Sequence, residues 1–333
     1  MIKRFGFLDL SGYMFSGKAA VHDLIAEIDG FSTPGNRIEF DLLRVKDGIA
    51  DLESALISWS PVRADSAARR FLNVVKKIGD GSTRLSRLTT PGFGYADRYP
   101  KLVQHSREFI DAITVAAWDM YWPYHLLDMS RLEILRFKIG RKLFGRHENV
   151  HYRLISRELF YEAVKIYLHD LLSEGIDRDS FHTIVLNNAF EPFDPTRYIA
   201  YFEDAKSIIV ERDPRDIFVV ANLPSEGFND QVELYRRIAG AFDVQIFIQR
   251  FKTYRAHTSS IASDRILRLK FEDLVLDYER TVTTIYQFLG ITANAHCRKK
   301  MYFDPAISST NVGMWRDYPD QRSIRMIEEA YLA

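Results

Sequence analysis

The sequence predicts an α/β fold in which helices cover both faces of a mainly parallel central sheet. Apolar runs of strand length occur at residues 5–10, 182–188, 207–212 and 265–269, and helical patterns separate them. Because parallel strands need crossover connections, this alternation is typical of parallel sheets with helices on their faces. We therefore expect three layers, α/β/α, with ligands bound beyond the carboxyl ends of the strands.

A glycine-bounded loop follows the first predicted strand. Residues 11–20 read SGYMFSGKAA, and apolar residues spaced three and four apart then predict a helix. The spacing Gly12-x4-Gly17-Lys18 is that of a P-loop, which directs backbone N–H groups, a helix dipole and a lysine at an anion. Ala19 stands where a magnesium-dependent nucleotide enzyme needs a hydroxyl, so the loop predicts a phosphate-type anion without a metal. The alternative is a tight strand–helix turn with a surface lysine.

Residues 38–44 (IEFDLLR) are predicted to form a second strand that carries two carboxylates. Alternate side chains of a strand share a face, so Glu39 and Asp41 would lie on one face and Phe40 on the other. The alternative for Glu39 is a solvent-facing strand position.

The middle of the chain differs in character from its ends. Helical patterns at 67–78, 102–120 and 154–172 dominate residues 60–175. We interpret residues 1–333 as a single domain, with a helical insertion at about 60–175.

Three further stretches carry candidate binding residues. In Arg212-Asp213-Pro214-Arg215-Asp216, an arginine ends a predicted strand just before a helix that proline can begin, so its guanidinium could bind a phosphate. The alternative is an Arg/Asp cluster that caps the helix. The other two stretches are Phe271-Glu272-Asp273-Leu274, followed by a helix that ends at Phe288-Leu289-Gly290, and Ser308–Tyr318, which contains Gly313-Met314-Trp315-Arg316.

In this order, the four stretches resemble the sulfotransferases that use 3′-phosphoadenosine 5′-phosphosulfate (PAPS). The resemblance covers residues 11–318, although the region 60–175 matches no known motif. It implies a loop for the 5′-phosphosulfate, an arginine segment for the 3′-phosphate, and a C-terminal segment that closes over the nucleotide. The cofactor-binding residues that it implies are Tyr13, Phe15, Ser16, Gly17, Lys18, Ala19, Ala20, Arg212, Val220, Ser309, Thr310, Asn311 and Gly313.

The chain also departs from the pattern of that family. Phe15 replaces the loop lysine, Lys18-Ala19 replaces a hydroxyl pair, and Val220 replaces the serine expected eight residues after Arg212. Residues 308–310 are uncharged where basic residues are usual. Lys18 could take over the role of the missing lysine. These departures predict a modest affinity for the cofactor or an altered choice of cofactor.

Sulfuryl transfer needs stabilisation of developing charge and a base for the acceptor hydroxyl. Lys18 would supply the charge. The resemblance implies a carboxylate or a histidine as the base, for which Glu39 is the first choice, followed by Asp41 and His105. The candidate residues for binding the acceptor are Asp41, Arg44 and Arg98.

Composition excludes several classes of protein. The 45 basic and 45 acidic residues give a formal net charge of zero, which does not suggest a nucleic-acid-binding protein. Cys297 is the single cysteine, so the sequence excludes intrachain disulfides and cysteine-rich metal sites. No apolar run has the length of a signal sequence or a membrane span, so we expect a cytoplasmic protein. We also expect no metal, because Ala19 lacks the hydroxyl that would bind one.

The resulting hypothesis is a PAPS-dependent sulfotransferase that acts on a hydroxyl or amine of a glycan or small metabolite. Two alternatives are a P-loop kinase-like phosphotransferase and a non-catalytic nucleotide-binding member of the sulfotransferase fold. The sequence leaves the acceptor and the oligomeric state open.

Overall fold

The computed structural model describes residues 5–35, 38–79, 95–144, 149–223, 232–259 and 261–332. The chain divides into two compact units. The first unit comprises Met1–Glu39, Ile176–Ile199 and Asp204–Ala333, and the second comprises Phe40–Gly175 and Ala200–Glu203. The arrangement of one domain with an insertion at about 60–175 stays a prediction. The second unit begins earlier than that insertion, at Phe40, and ends its main segment at Gly175.

The strands of the described residues form one sheet in each unit. They are β1 Gly6–Gly12, β2 Phe31–Ser32, β3 Thr114–Met120, β4 Val150–Ile155, β5 Thr183–Asn187, β6 Ala205–Glu211 and β7 Ile266–Lys270. In the first unit, five strands pair in the order β2-β5-β1-β6-β7, and every pair is parallel. In the second unit, β3 and β4 form an antiparallel pair.

Helices connect and cover these strands. They are α1 Lys18–Ala26, α2 Ile49–Ile57, α3 Pro61–Gly79, α4 Tyr95–Arg98, α5 Leu102–Ala112, α6 Arg131–Phe144, α7 Phe160–Leu172, α8 Thr196–Ile199, α9 Pro214–Asn222, α10 Val232–Ala239, α11 Val244–His257, α12 Phe271–Leu276, α13 Tyr278–Leu289, α14 Pro305–Ser308 and α15 Gln321–Leu332. Short 3-10 helices occur at Asp41–Leu43, Pro123–Asp128, Ala293–Ala295, Ser309–Asn311 and Met314–Arg316. Among the described residues, no helix combines the length and the apolar character that crossing a bilayer requires.

The predicted α/β fold with a parallel central sheet is confirmed. Leu8 and Leu10 of β1 pack with the apolar face of α1 and with residues of α12 and α13 in one buried cluster. A second cluster joins α9, α11 and α15. Because all five strands run parallel, the residues that follow β1, β5, β6 and β7 leave the sheet at the same edge.

In the second unit, α3, α5 and α7 share an aromatic core. The rings of Phe109 and Tyr167 stack with centroids 4.9 Å apart, and Phe71 meets both edge-on. The helices predicted at 102–120 and 154–172 both form but are shorter than expected, because one ends at Ala112 and the other begins at Phe160. Residues 114–120 instead form β3, where β-branched and aromatic residues such as Val115 and Trp118 favour the extended conformation, and residues 154–155 are the end of β4.

The predicted strand at 38–44 is also wrong. Residues 38–40 belong to no strand, and Asp41–Leu43 form a 3-10 helix. The Asp41 carbonyl accepts hydrogen bonds from the N–H groups of Arg44 and Val45, both at 2.9 Å, and the Asp41 carboxylate lies 2.5 Å from the Arg44 guanidinium. These local bonds favour a turn over a strand, so the alternation that placed Glu39 and Asp41 on one face does not apply.

A buried carboxylate lies in the middle of the parallel sheet. Asp9 of β1 is fully buried and accepts hydrogen bonds from Ala189 N at 2.8 Å, Phe190 N at 3.3 Å, and the Ser11 and Ser207 hydroxyls at 2.5 and 3.3 Å. Burial raises its pKa from the ordinary 3.8 to about 6, against the opposing effect of these hydrogen bonds. Through its hydrogen bonds from Ala189 and Phe190, Asp9 fixes the start of the chain segment that follows β5.

We expect Asp9→Asn to change how stability depends on pH. Between about pH 4 and 6 the folded wild-type chain keeps a proton on Asp9 that the unfolded chain has released, so wild-type stability falls as the pH rises through this window. An amide has no such proton to lose. The free energies of unfolding of both proteins are measured in urea at several pH values. Their difference should shift in favour of the variant by about 2–3 kcal/mol between pH 4 and 7.

The exposed Asp29 supplies the matched control, since its side chain is 66% exposed. Asp29→Asn should leave the wild-type pH dependence unchanged. Parallel stability curves for Asp9→Asn and the wild type would contradict the raised pKa of Asp9.

Candidate active site

The loop between β1 and α1 adopts a backbone that few residues permit. Phe15 and Gly17 have positive φ angles of 59° and 85°. A Cβ atom on Gly12 would lie 2.2 Å from Ser16 Oγ, and one on Gly17 would lie 2.4 Å from the Phe271 ring. The two glycines that suggested a P-loop are therefore needed for close approach, because larger residues would collide with the loop or with α12.

The Ser16 hydroxyl is a buried polar group to which the described residues offer no hydrogen bond. Ser16 is 1% exposed, and its Oγ forms no hydrogen bond within the part of the chain that the structure describes. Leaving a buried hydroxyl unpaired costs about 1–3 kcal/mol. A ligand oxygen at this position would remove that cost.

Lys18 and Glu39 form an ion pair beside the loop. Lys18 Nζ donates to Glu39 Oε1 at 2.9 Å, and Glu39 Oε2 accepts from Asn188 Nδ2 at 3.1 Å. Asn188 follows β5 directly and has a φ of 52°, a conformation that asparagine tolerates better than most residues. A cation and a candidate base are thus adjacent, although Glu39 does not lie on a strand.

Arg212 joins the loop to the C-terminal segment. It is 9% exposed; Nη1 donates to the Phe15 carbonyl at 3.2 Å, and Nη2 donates to the Asn311 carbonyl. Its guanidinium lies 5.0 Å from the centroid of the Phe271 ring, and Nε has no hydrogen-bond partner among the described residues. Burial lowers the pKa of Arg212 from its usual value, and the nearby carboxylate of Asp216 is first among the opposing influences.

The remainder of the arginine segment organises the backbone around it. Asp213 caps α9 and binds the Arg215 guanidinium, as the capping alternative predicts, while its own N–H donates to Glu272 Oε1 at 2.8 Å. The Asp216 carboxylate accepts the N–H groups of Gly313 at 2.7 Å and Trp315 at 3.1 Å. All four stretches that suggested the family resemblance therefore meet in one place.

A cavity of about 790 Å³ lies at this meeting point, which is the size range of small-molecule sites. Several of the residues lining it were proposed from the sequence as cofactor-binding, namely Tyr13, Phe15, Ser16, Gly17, Lys18, Ala19, Ala20, Arg212, Val220 and Asn311. Ser309, Thr310 and Gly313 are not among its lining residues. The hydroxyls of Ser309 and Thr310 instead donate to the carbonyls of Ala306 and Ile307 at 2.7 and 3.0 Å.

Four other predicted residues lie in the second unit. Asp41 and Arg44 bind one another, and the Arg98 guanidinium lies 6.0 Å from the centroid of the Tyr99 ring. His105 Nδ1 lies 3.5 Å from Glu108 Oε2, and His105 Nε2 lies 3.9 Å from Glu174 Oε2. Their assignment to acceptor binding or to proton transfer stays a prediction.

Sequence reasoning missed part of the cavity wall. The lining residues that it did not single out are Asp23, Asn188, Tyr235, Tyr302, Phe303, Asp304 and Ile307. The place of Asn188 at the end of a predicted parallel strand was an available signal. The segment 302–304 offered no comparable pattern.

Glu27 holds that segment in place. Its buried carboxylate accepts the N–H groups of Lys300 at 3.0 Å, Tyr302 at 2.7 Å and Phe303 at 2.8 Å, and contacts His296 Nε2 at 2.7 Å. The other ring nitrogen of His296 lies 2.6 Å from the Tyr286 hydroxyl. A single carboxylate at the end of α1 therefore positions one wall of the cavity.

Comparison with known families identifies the same relationship as the motifs. Residues 139–295 match the model described as the sulfotransferase family. The predicted resemblance to the sulfotransferases is confirmed. The match contains Arg212 and Phe271–Leu274 of this sulfotransferase-like chain, whereas the loop at 12–20 and the segment Gly313–Arg316 lie outside it. A comparison with curated protein sequences gave no match.

Several solved structures are distantly similar. The sulfotransferase domain of the Synechococcus PCC 7002 olefin synthase is 15% identical, with 98% of this chain and 93% of that chain covered and a TM-score of 0.37. The sulfotransferase domain from the curacin biosynthetic pathway is 11% identical, with 98% and 96% covered and a TM-score of 0.39. Retinol dehydratase in complex with androsterone and the inactive cofactor PAP is 15% identical, with 98% and 79% covered and a TM-score of 0.36. These likenesses are too distant to support an argument about the site.

We expect Gly17→Ala to destabilise the sulfotransferase-like chain by about 1–3 kcal/mol, because the new methyl group must displace the Phe271 ring and the positive φ disfavours alanine. Denaturant unfolding of the purified protein measures the change. The control is Gly35→Ala, since a Cβ atom at Gly35 would meet no atom of the described residues within 4 Å. Equal free energies of unfolding for the two variants would contradict the proposed close packing of loop and helix.

Proposed function

We propose that the protein is a PAPS-dependent sulfotransferase that transfers a sulfuryl group to a hydroxyl or amine of a small molecule or glycan. The observation that carries the proposal is the convergence of the four stretches on one cavity. Two buried polar atoms there, Ser16 Oγ and Arg212 Nε, have no partner among the described residues. Both can donate hydrogen bonds, as the oxygens of a phosphosulfate or phosphate group require.

The residues present fit such a donor. The N–H groups at the start of α1, together with Ser16 Oγ and Lys18 Nζ, would hold the 5′-phosphosulfate. Arg212 would hold the 3′-phosphate through Nε, which has no partner among the described residues, while its guanidinium stays over the Phe271 ring. Val220 would give only apolar contact. Bound PAPS would supply the sulfuryl group, whose sulfur breaks its bond to a phosphate oxygen and forms a bond to the acceptor oxygen or nitrogen.

The chemistry asked of this chain is charge stabilisation and proton removal. Lys18 and the loop N–H groups would stabilise negative charge on the oxygen that leaves. Glu39 would accept the proton of the acceptor, with Asn188 orienting its carboxylate. Since Lys18 Nζ is bound to Glu39 in this structure, we infer that Lys18 exchanges Glu39 for the anion when the donor binds. The exchange would remove the positive charge of Lys18 from the carboxylate that takes the proton.

One alternative has an observation in its favour. The hydroxyls of Ser309 and Thr310 are taken up by carbonyls of their own turn, and Val220 cannot form a hydrogen bond, so fewer groups hold the 3′-phosphate than the family resemblance implies. A nucleotide-binding protein without transferase activity would have such a site. The kinase-like alternative is less well supported, because Ala19 places a methyl group in the cavity where a magnesium-binding hydroxyl is required.

We expect Arg212→Ala to weaken binding of 3′-phosphoadenosine 5′-phosphate by about 1.5–3 kcal/mol, the contribution of a hydrogen bond to a charged group. Isothermal titration calorimetry measures the dissociation constant, with thermal unfolding recorded in parallel because Arg212 also joins two segments. The control is Arg280→Ala, whose side chain is 74% exposed and does not line the cavity. An unchanged dissociation constant in a folded Arg212→Ala protein would refute the assignment, and absence of submillimolar binding by the wild type would refute the proposed function.

We expect Glu39→Gln to lower turnover about 10²–10⁴-fold, the usual contribution of a general base, while nucleotide affinity changes little. Release of 3′-phosphoadenosine 5′-phosphate in the presence of a panel of alcohols, phenols, sugars and amines measures turnover. Asp41→Asn and His105→Ala serve as comparisons, since both residues lie in the other unit. Full turnover by Glu39→Gln together with loss in either comparison variant would assign the base elsewhere.

A further inference from the structure

The second unit contains a separate cavity with an excess of positive charge. Its volume is about 310 Å³, and it lies between α3, α5 and β4. Its lining comprises four cationic residues, one acidic residue and three uncharged residues, namely Arg69, Lys76, Arg107, Arg153, Asp111, Leu72, Asn73 and Val103. All of these residues belong to the second unit, and none was assigned a role by the sequence.

A buried carboxylate fixes two of the cationic residues. Asp65 is fully buried; it accepts a hydrogen bond from Arg69 Nη1 and another from the Arg153 N–H at 3.0 Å. Asp128 accepts from Arg69 Nη2 at 3.2 Å. The Nε atom of Arg69 is buried and has no partner among the described residues. Arg69 is therefore held rigidly with one donor unused, and the backbone that carries Arg153 is anchored beside it.

The other three cations give the cavity its net charge. Within the described ranges no carboxylate forms an ion pair with the side chains of Lys76, Arg107 or Arg153, whereas Arg69 is neutralised by two. These three cations against Asp111 leave an excess of positive charge among the lining residues, in a chain whose formal net charge is zero. Cations gathered around a concave surface repel one another, and an anion bound between them reverses that cost.

We propose that this cavity binds a small organic anion that carries a phosphate, sulfate or carboxylate group on a hydroxylated body, such as a sugar phosphate or a uronic acid. Guanidinium groups suit oxyanions because they donate two parallel hydrogen bonds, and two of the unpaired cations are arginines. Asn73 and Asp111 can accept hydrogen bonds from hydroxyl groups, while Leu72 and Val103 provide apolar contact for a sugar ring. The site does not depend on the proposed transfer reaction, since all its residues lie outside the first unit.

Calorimetric titration of the full chain tests the site with four probes: glucose 6-phosphate, glucuronate, inorganic phosphate and glucose. We expect saturable binding of the two acidic sugars that weakens as salt is added, weaker binding of inorganic phosphate, and no binding of glucose. Affinity for glucose 6-phosphate that equals the affinity for inorganic phosphate would refute the role of Asn73 and Asp111. Absence of saturable binding by both acidic sugars would refute the site.

Matched variants separate a built site from general charge attraction. Arg107→Glu combined with Arg153→Glu should lower the affinity for acidic sugars at least tenfold, and the milder Arg107→Gln should lower it several-fold without a charge reversal. Lys77→Glu is the control, because Lys77 is exposed on the same helix as Lys76 and does not line the cavity. An equal loss in Lys77→Glu, or no loss in a folded Arg107→Gln protein, would overturn the proposal. Binding of 3′-phosphoadenosine 5′-phosphate, measured on the same samples, should be unchanged, so failure of this site and failure of the proposed function give different results.

Discussion

The organisation of the candidate site depends on one buried guanidinium. Arg212 reaches the carbonyl of Phe15 in the loop and the carbonyl of Asn311 near the C-terminus, while its face lies over the Phe271 ring. A buried charge without partners would cost several kcal/mol, so each of these contacts both stabilises Arg212 and fixes the segment that supplies it. Removal of the side chain would therefore leave three segments without a common partner.

Buried carboxylates complement this cation by binding irregular backbone. Asp9 holds the residues after β5, Asp216 holds the Gly313–Trp315 turn, and Glu27 holds residues 300–303. Loops that line a cavity cannot pair their N–H groups with a neighbouring strand, and a buried N–H without an acceptor is costly. A carboxylate that accepts two or three N–H groups resolves the problem at a single point, so the cavity walls can be irregular and still rigid.

The sequence predicts this site where the signal is local and fails where it is not. Gly12, Gly17 and Lys18 lie where a strand leads into a helix, so their spacing alone predicts an anion-binding loop. The alternation that favours Glu39 as the base belongs to a strand that does not form. The position of Glu39 beside Lys18 is set by the fold. Residues 302–304 reach the cavity only through Glu27, and no periodicity indicates a hydrogen bond between segments so distant in sequence. The pattern at residues 114–120 predicts a helix, yet they form β3, because a short apolar run suits either structure.

If the protein is the transferase proposed above, the ion pair of Lys18 and Glu39 must open when the donor binds. Both side chains are partly exposed, so the pair contributes at most about 1 kcal/mol, and a doubly charged anion at the helix start competes for Lys18 easily. In the proposed reaction Lys18 turns to the anion, so the Glu39 carboxylate loses that cation and keeps its hydrogen bond from Asn188. The proposed function requires a weak pair, since a stronger one would keep Lys18 away from the anion and Glu39 away from the acceptor. The arrangement suits a site in which donor binding itself prepares the base.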